Sequence, residues 1–296
     1  MFCRPVNLKQ TKIIAEQMER YVCEVESDNG DRCIGFFCNI NFNNIKIPSL
    51  ITAMHVIDAK KLLSNRIIKI RINEEEKKIR INENRTLYSN KEYDVTIIEI
   101  KREDNIKHFL KLDEGIFRES GKQYYLGKSI YCIQYLEHYE EMNVFVSYGI
   151  IKDFFFDCEE KMRHYCSTGK ESSGSPIFDL NTNRVIGIHT QHHVSKDCGV
   201  GCFLTKPIIE FMREIEYKKY NEYKSKAFSN LKLIASGSYG KIYSAFDTII
   251  KNEICLKKIN LEEMKLNYEE NELTDYLNDL SNEIKILKML SNNNIQ

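Results

Sequence analysis

Residues 166–180 read CSTGKESSGSPIFDL. Two adjacent serines, Ser172 and Ser173, precede Gly174-Ser175-Pro176, and the apolar pair Ile177-Phe178 follows. Small residues ahead of a short apolar run describe a tight turn feeding a strand. The same texture runs on both sides of this segment. Upstream lie YVCEVES (21–27), RCIGFFCNI (32–40), SLITAMHVI (49–57), IIKIRI (67–72), KKIRI (77–81), VTIIEI (95–100), SIYCIQY (129–135) and MNVFVSYGIIKDF (142–154). Downstream lie RVIGIHT (184–190) and GVGCFLT (199–205). About a dozen short β-rich runs, broken by polar turns with little helix between them, predict a barrel or sandwich.

Helical spacing brackets this β region. Ile13, Ile14 and Met18 share one face of residues 8–20, and Ile208, Phe211, Met212 and Ile215 form a stripe within residues 206–226. Pro207 suits a first helical position. Beyond residue 226 the chain turns β-rich again, and residues 273–290 carry Leu280, Ile284, Leu287 and Leu290 at helical spacing. The domain boundary is therefore placed near residue 226.

Composition excludes several classes. Lys+Arg and Asp+Glu are 43 each, so the net charge is zero, without the basic excess expected of a nucleic-acid binder. Hydrophobic residues at 42% and charged residues at 29% fit a globular chain. No window approaches the roughly 18 apolar residues of a membrane span. The first residues lack the apolar core of a secretion signal, so the cytosol is the expected compartment and the 10 cysteines are expected as thiols. The pairs Cys33/Cys38 and Cys198/Cys202 do not have the spacing of a structural zinc site, and no metal is expected.

Three segments hold the components of acyl transfer, which needs a nucleophile, a base to take its proton and a group to orient that base. His55 ends an apolar run, Asp94 precedes another, and Ser173 lies in the small-residue turn. In this order, on a β-rich background, TAMHV (52–56), YDVTIIEI (93–100) and SSGSPIF (172–178) resemble the chymotrypsin-like serine peptidases over about residues 20–215. The resemblance implies two six-stranded β-barrels with the site between them, a peptide or protein substrate and no cofactor. It implies His55 as base, Asp94 as its orienting group and Ser173 as nucleophile, with the amides of Glu171 and Ser173 holding the oxyanion. Ser172 would be structural.

STGKESSGSPIFDLNTNRVIGIH (167–189) is also similar to the bacterial glutamyl endopeptidases. That likeness implies Thr168 and His189 as the substrate pocket, holding a Glu or Asp side chain. One departure stands out: Glu171 occupies a place that is usually glycine. A turn needing positive φ there would be strained by glutamate. A peptidase-like binding or sensing module, impaired at Glu171, is accordingly a second reading.

Residues 227–296 carry different motifs. LIASGSYGKIYSAF (233–246) resembles the glycine-rich loop of protein kinases, with Ala235 at the first glycine place, then Gly237, Gly240 and Ile242. Lys257 in ICLKKI (254–259) resembles the lysine that contacts ATP phosphates, and Glu283 resembles its helical partner. This likeness implies ATP with Mg as ligand and the front of a kinase N-lobe. No His-Arg-Asp or Asp-Phe-Gly segment occurs, so phosphoryl transfer would require a continuation past Gln296.

Overall fold

The computed structural model describes residues 4–26, 32–42, 45–58, 67–118, 121–138, 141–193, 198–237, 240–248, 251–258, 279 and 282. They divide into two compact units, residues 1–218 and 219–296.

The first unit opens with helix α1 (Leu8–Arg20). Asn7 caps it by accepting from the Gln10 amide at 3.0 Å. Seven strands then form one antiparallel sheet: β1 (Val22–Glu26), β2 (Arg32–Phe42), β3 (Ile45–Ala53), β4 (Ile67–Ile72), β5 (Glu75–Arg80), β6 (Leu87–Asn90) and β7 (Val95–Glu99). Their order is β5-β4-β1-β2-β3-β7-β6, and β8 (Leu110–Lys111) adds to β2 in parallel. The second set is β9 (Ser129–His138), β10 (Glu141–Phe154), β11 (Lys161–His164), β12 (Pro176–Asp179), β13 (Arg184–His193) and β14 (Cys198–Phe203). These six close into a barrel, β10-β11-β14-β13-β12-β9. A short helix α2 (Gly121–Tyr125) precedes the barrel, and α3 (Thr205–Ala227) follows it. Pro207 is the third residue of α3 rather than the first, still within the turn whose amides need no intrahelical acceptor.

The expectation of two closed six-stranded barrels is therefore half met. The first half is an open sheet of eight strands, with β5 and β6 as unpaired edges among the described residues. Near the end of β5 a buried arginine makes several bonds. Arg85 donates from Nε to the carbonyl of Arg80 at the end of β5 (3.1 Å) and from Nη1 to the carbonyl of Glu99 on β7 (2.6 Å). Its guanidinium also forms a two-pronged pair with Asp104, at 2.6 and 2.9 Å. Both side chains are almost fully buried. A guanidinium thus ties the end of β5 to the end of β7 and to Asp104.

Alternation explains the core. On β2, Ile34, Phe36, Cys38 and Ile40 point into a large cluster shared with the barrel residues Tyr131, Ile133, Ile177, Phe178 and Ile188. On the opposite face, Phe37 joins Val25, Leu50, Ile70, Ile79 and Ile98 in a second cluster. Period-two alternation dictates this division. Ile208, Phe211, Met212 and Ile215 of α3 are buried in the first cluster, as their spacing predicts.

In the second unit, β15 (Phe228–Gly237), β16 (Gly240–Asp247) and β17 (Asn252–Lys258) form a three-stranded antiparallel sheet. The helix expected over 273–290 lies outside the described residues, apart from Asp279 and Asn282.

Breaking a buried pair strands a charge, at a cost of about 3–5 kcal/mol, whereas replacing both partners by apolar groups is far milder. Denaturant unfolding should show Asp104→Leu alone losing stability on that scale. Arg85→Met with Asp104→Leu should recover much of the loss. Equal losses in single and double variants would refute the role given to the pair.

Candidate active site

The turn at residues 169–175 is held entirely by local and cross-barrel hydrogen bonds. Lys170–Ser172 make one 3-10 turn, in which the Ser172 amide donates to the carbonyl of Gly169 at 3.3 Å. The Ser172 hydroxyl accepts from the Gly169 amide at 2.8 Å and donates to Oε1 of Gln134 on β9. Gln134 in turn donates from Nε2 to the Ser167 carbonyl at 2.9 Å. Ser172 is wholly buried, the structural role expected of it.

Gly174 then takes φ of 93°, a conformation open to glycine and costly for other residues. Space demands glycine as well: a Cβ here would lie 1.8 Å from the carbonyl oxygen of Ile34. The Gly174 amide donates to His189 O at 2.8 Å, and Ile34 donates to Ser173 O at 3.0 Å. The turn is therefore fastened to β13 on one side and to β2 of the open sheet on the other.

That fastening brings the expected residues to one place. His55, Asp94, Ser173 and Thr168 all line a single open cleft of about 800 Å³. Asp94 accepts from the His55 amide at 3.0 Å through Oδ1 and pairs with Nδ1 of the ring at 2.7 Å through Oδ2. Two bonds from one carboxylate fix both the backbone and the ring of the histidine. Asp94 itself has φ of 54°, in the left-handed region that Asp tolerates better than most residues. Its turn is built by Asn90, whose Oδ1 accepts from the amides of Glu92 (2.8 Å) and Tyr93 (3.2 Å). Asn90 also reaches Glu210 of α3, so the closing helix supports the turn.

The hydrogen bond to Asp94 raises the pKa of His55 above the ordinary 6.5, against an opposing effect of burial. Nδ1 facing a carboxylate leaves Nε2 as the nitrogen free to take a proton. The Ser173 hydroxyl does not reach it here. It donates instead to the carbonyl of Thr190 at 3.1 Å, and no hydrogen bond joins Ser173 to His55. Such contacts often form only when substrate is bound.

Two further expectations change, and two residues are added. Glu171 does not sit at positive φ, so its replacement of glycine brings no backbone strain of that kind. Its place in the first turn of the 3-10 segment leaves its amide without an intrahelical acceptor. His189 is wholly buried and is not part of the cleft lining, whereas Thr168 is. His189 Nδ1 meets His164 Nε2 at 3.0 Å, and His164 Nδ1 accepts from the Cys166 amide at 3.3 Å. That acceptance assigns the His164 proton to Nε2, which donates to His189, leaving the His189 proton on Nε2. Finally, the cleft also contains Lys91 and Lys161, which no sequence motif marked. Neither lies within a stretch whose spacing singles it out, and only the fold carries them to the cleft.

In the second unit, Gly237 on β15 pairs with Gly240 on β16. Ala235 lies opposite Ile242, and Ile242 lies opposite Lys257 on β17, so these residues form one row across the three strands. Glu283 lies outside the described residues. No group of three or more metal-ligating side chains occurs among the described residues. No helix among them is long and apolar enough to cross a membrane.

An NMR titration checks the electrostatics. His55 should titrate above 6.5, and Asp94→Asn should bring it down toward that value, because the carboxylate stabilises the protonated ring. The extra stability that this ion pair gives the folded protein is present below pH 6.5 and is lost as pH rises through the raised pKa, while the neutral ring keeps its Nδ1–H bond to Asp94. A midpoint unmoved by Asp94→Asn would contradict the pairing.

Comparison with known proteins follows the same lines. Solved structures similar to this chain include the serine endoprotease from Yersinia pestis, at 12% identity and TM-score 0.51, covering 86% of this chain and 98% of that one. The active form of the Rv3671c protease from M. tuberculosis shares 13% identity at TM-score 0.49, over 72% of this chain and 88% of that one. Catalytically active tobacco etch virus protease, complexed with product, shares 16% identity at TM-score 0.47, over 73% and 83% respectively. At such identity the first likeness bears on the fold alone. No curated protein matches by sequence. A family model for the trypsin-like peptidase domain matches residues 33–188, a span holding His55, Asp94 and Ser173. The chain therefore belongs to the trypsin-like peptidase domain family.

Proposed function

We propose that residues 1–226 act as a serine endopeptidase, with Ser173 as nucleophile, His55 as general base and Asp94 as its orienting group. The observation carrying this reading is the double grip of Asp94 on His55 in the cleft that Ser173 also lines. In the reaction, Ser173 turns its hydroxyl from Thr190 to His55 Nε2 and attacks the scissile carbonyl as the imidazole takes its proton. The amides of Glu171 and Ser173 receive the negative oxygen. The imidazolium, stabilised by Asp94, then protonates the departing amine, and water repeats the sequence to release the acid.

A preference for Glu or Asp side chains is the finer part of this reading. Thr168, Lys91 and Lys161 line the cleft, and the one carboxylate among its described lining residues, Asp94, is already engaged by His55. Cationic and hydroxyl donors with no competing acid favour a carboxylate ligand. His189 would contribute from behind, as a buried donor next to Thr190.

A nucleotide site in the second unit is supported by the row Ala235–Ile242–Lys257 beside the Gly237/Gly240 pair. In the glycine-rich loops that this segment resembles, backbone amides hold phosphates with lysine as counter-charge. In this reading, residues 227–296 are the front of a kinase N-lobe that binds ATP with Mg, with Glu283 as partner to Lys257.

A peptide library resolved by mass spectrometry tests the main reading. Wild type should cut, with Glu and Asp enriched before the cut over Gln and Asn, and Ser173→Ala should fall by several orders of magnitude. Cleavage without acidic enrichment would remove the specificity alone. No cleavage by wild type, with strong cleavage by Glu171→Gly, would favour the impaired sensing module.

A further inference from the structure

Asp94 grips His55 from a turn that does not hold itself. Its φ of 54° is one that a residue other than glycine keeps only where its surroundings impose it. Asn90 supplies part of that constraint: its Oδ1 accepts from the amides of Glu92 at 2.8 Å and Tyr93 at 3.2 Å. We propose that Glu210, on α3 and not among the residues lining the cleft, is a positioning residue for the Asp94–His55 pair, acting through the side-chain amide of Asn90. The proposal rests on the roles given above to Asp94 and His55.

Asn90 can hold the turn in only one orientation. Its side-chain amide has an accepting end, Oδ1, and a donating end, Nδ2. The turn needs the accepting end, because both groups that Asn90 holds there are N–H donors. A half-turn about the last side-chain bond would set NH2 against two amides and break both bonds. A neighbour that can only accept selects against that half-turn, and a carboxylate is such a neighbour.

Glu210 is placed to do this. Its Oε2 accepts from Asn90 Nδ2 at 3.3 Å and from the Tyr88 hydroxyl at 2.6 Å. Tyr88 and Asn90 lie two residues apart on β6, so they share one face of the strand and one carboxylate oxygen ties down both. The short bond from the buried Tyr88 fixes the carboxylate, and the fixed carboxylate selects the Asn90 orientation. Helix α3 is itself anchored, since Ile208 and Phe211 on either side of Glu210 are wholly buried.

A separate chain of bonds keeps the two segments together without Glu210. Ser89 Oγ and Thr96 Oγ1 share a hydrogen bond at 2.5 Å, and Thr96 Oγ1 donates to the Ile57 carbonyl at 2.6 Å. Thr96 and Ile57 lie two residues beyond Asp94 and His55 respectively. Loss of the Glu210 carboxylate therefore frees the orientation of Asn90 while the strands stay paired.

Substitutions at Glu210 separate positioning from packing. Gln keeps an accepting oxygen for Tyr88 and Asn90, whereas Leu keeps bulk and offers none. In Glu210→Leu, kcat on a peptide substrate should fall roughly tenfold to a hundredfold, the worth of a hydrogen bond to a charged group, with KM little changed. The His55 titration midpoint, followed by NMR, should fall toward 6.5 as the grip of Asp94 loosens, and Glu210→Gln should recover most of both losses. The reciprocal swap is a second arm should Glu210→Leu not fold. Asn90→Asp sets two carboxylates against each other and should show the same fall in midpoint. Adding Glu210→Gln, whose amide donates across, should restore it. The NMR readings need no substrate, so an absence of cleavage by wild type would count against the peptidase reading alone. A His55 midpoint unmoved in folded Glu210→Leu, or a swap that restores nothing, would overturn the proposal. Lost thermal stability with an unmoved midpoint would mark Glu210 as structural only.

Discussion

The close approach of Gly174 to the Ile34 carbonyl is the constraint around which the site is arranged. With φ of 93° and no room for a Cβ, this one residue lets the turn after Ser173 lie directly on β2. The same Ile34 donates to the Ser173 carbonyl, and its own carbonyl accepts from Thr52 at 2.7 Å. Thr52 stands three residues before His55 on the strand that delivers the histidine. A single backbone contact therefore sets the proposed nucleophile of the barrel against the proposed base of the open sheet. The two halves share one apolar cluster, and within it this contact fixes the turn after Ser173 against β2.

The polar groups near the cleft divide into fixed and movable ones. Asp94 and His55 are held by two short bonds, and Asn90 and Glu210 fix the turn beneath them. Ser172, Gln134 and Ser167 hold the opposite wall. The Ser173 hydroxyl, by contrast, has only the Thr190 carbonyl, one neutral bond of modest net worth. In the proposed reaction that bond to Thr190 is the one given up when Ser173 turns to His55. This division, with several supports around one singly bonded hydroxyl, suits the proposed acyl transfer.

Much of this was legible in the sequence because strand alternation and turn chemistry are local properties. The β-rich runs, the helix over 8–20 and the buried stripe Ile208–Ile215 follow from spacing alone. His55, Asp94 and Ser173 were nominated through their motifs, and the fold carries them to one cleft. Closure of the first half was not legible, since it depends on whether two distant edges meet. Nor was the burial of Arg85 beside the end of β5, since arginine in a polar stretch carries no outward sign of burial. The same holds for Lys161, brought to the cleft by its strand, and for His189. His189 ends a strand motif like His55 but turns inward, toward His164. The φ at Glu171 belongs to a class of fact that residue identity alone does not fix.

Reaction of Ser173 with an active-site-directed fluorophosphonate tests the central claim most directly, because the probe demands a serine activated by its neighbours. The account predicts stoichiometric labelling of wild type that maps to Ser173, vanishes in Ser173→Ala, and slows by orders of magnitude in His55→Ala. Absence of labelling in folded wild-type protein, or labelling that persists in Ser173→Ala, would contradict it.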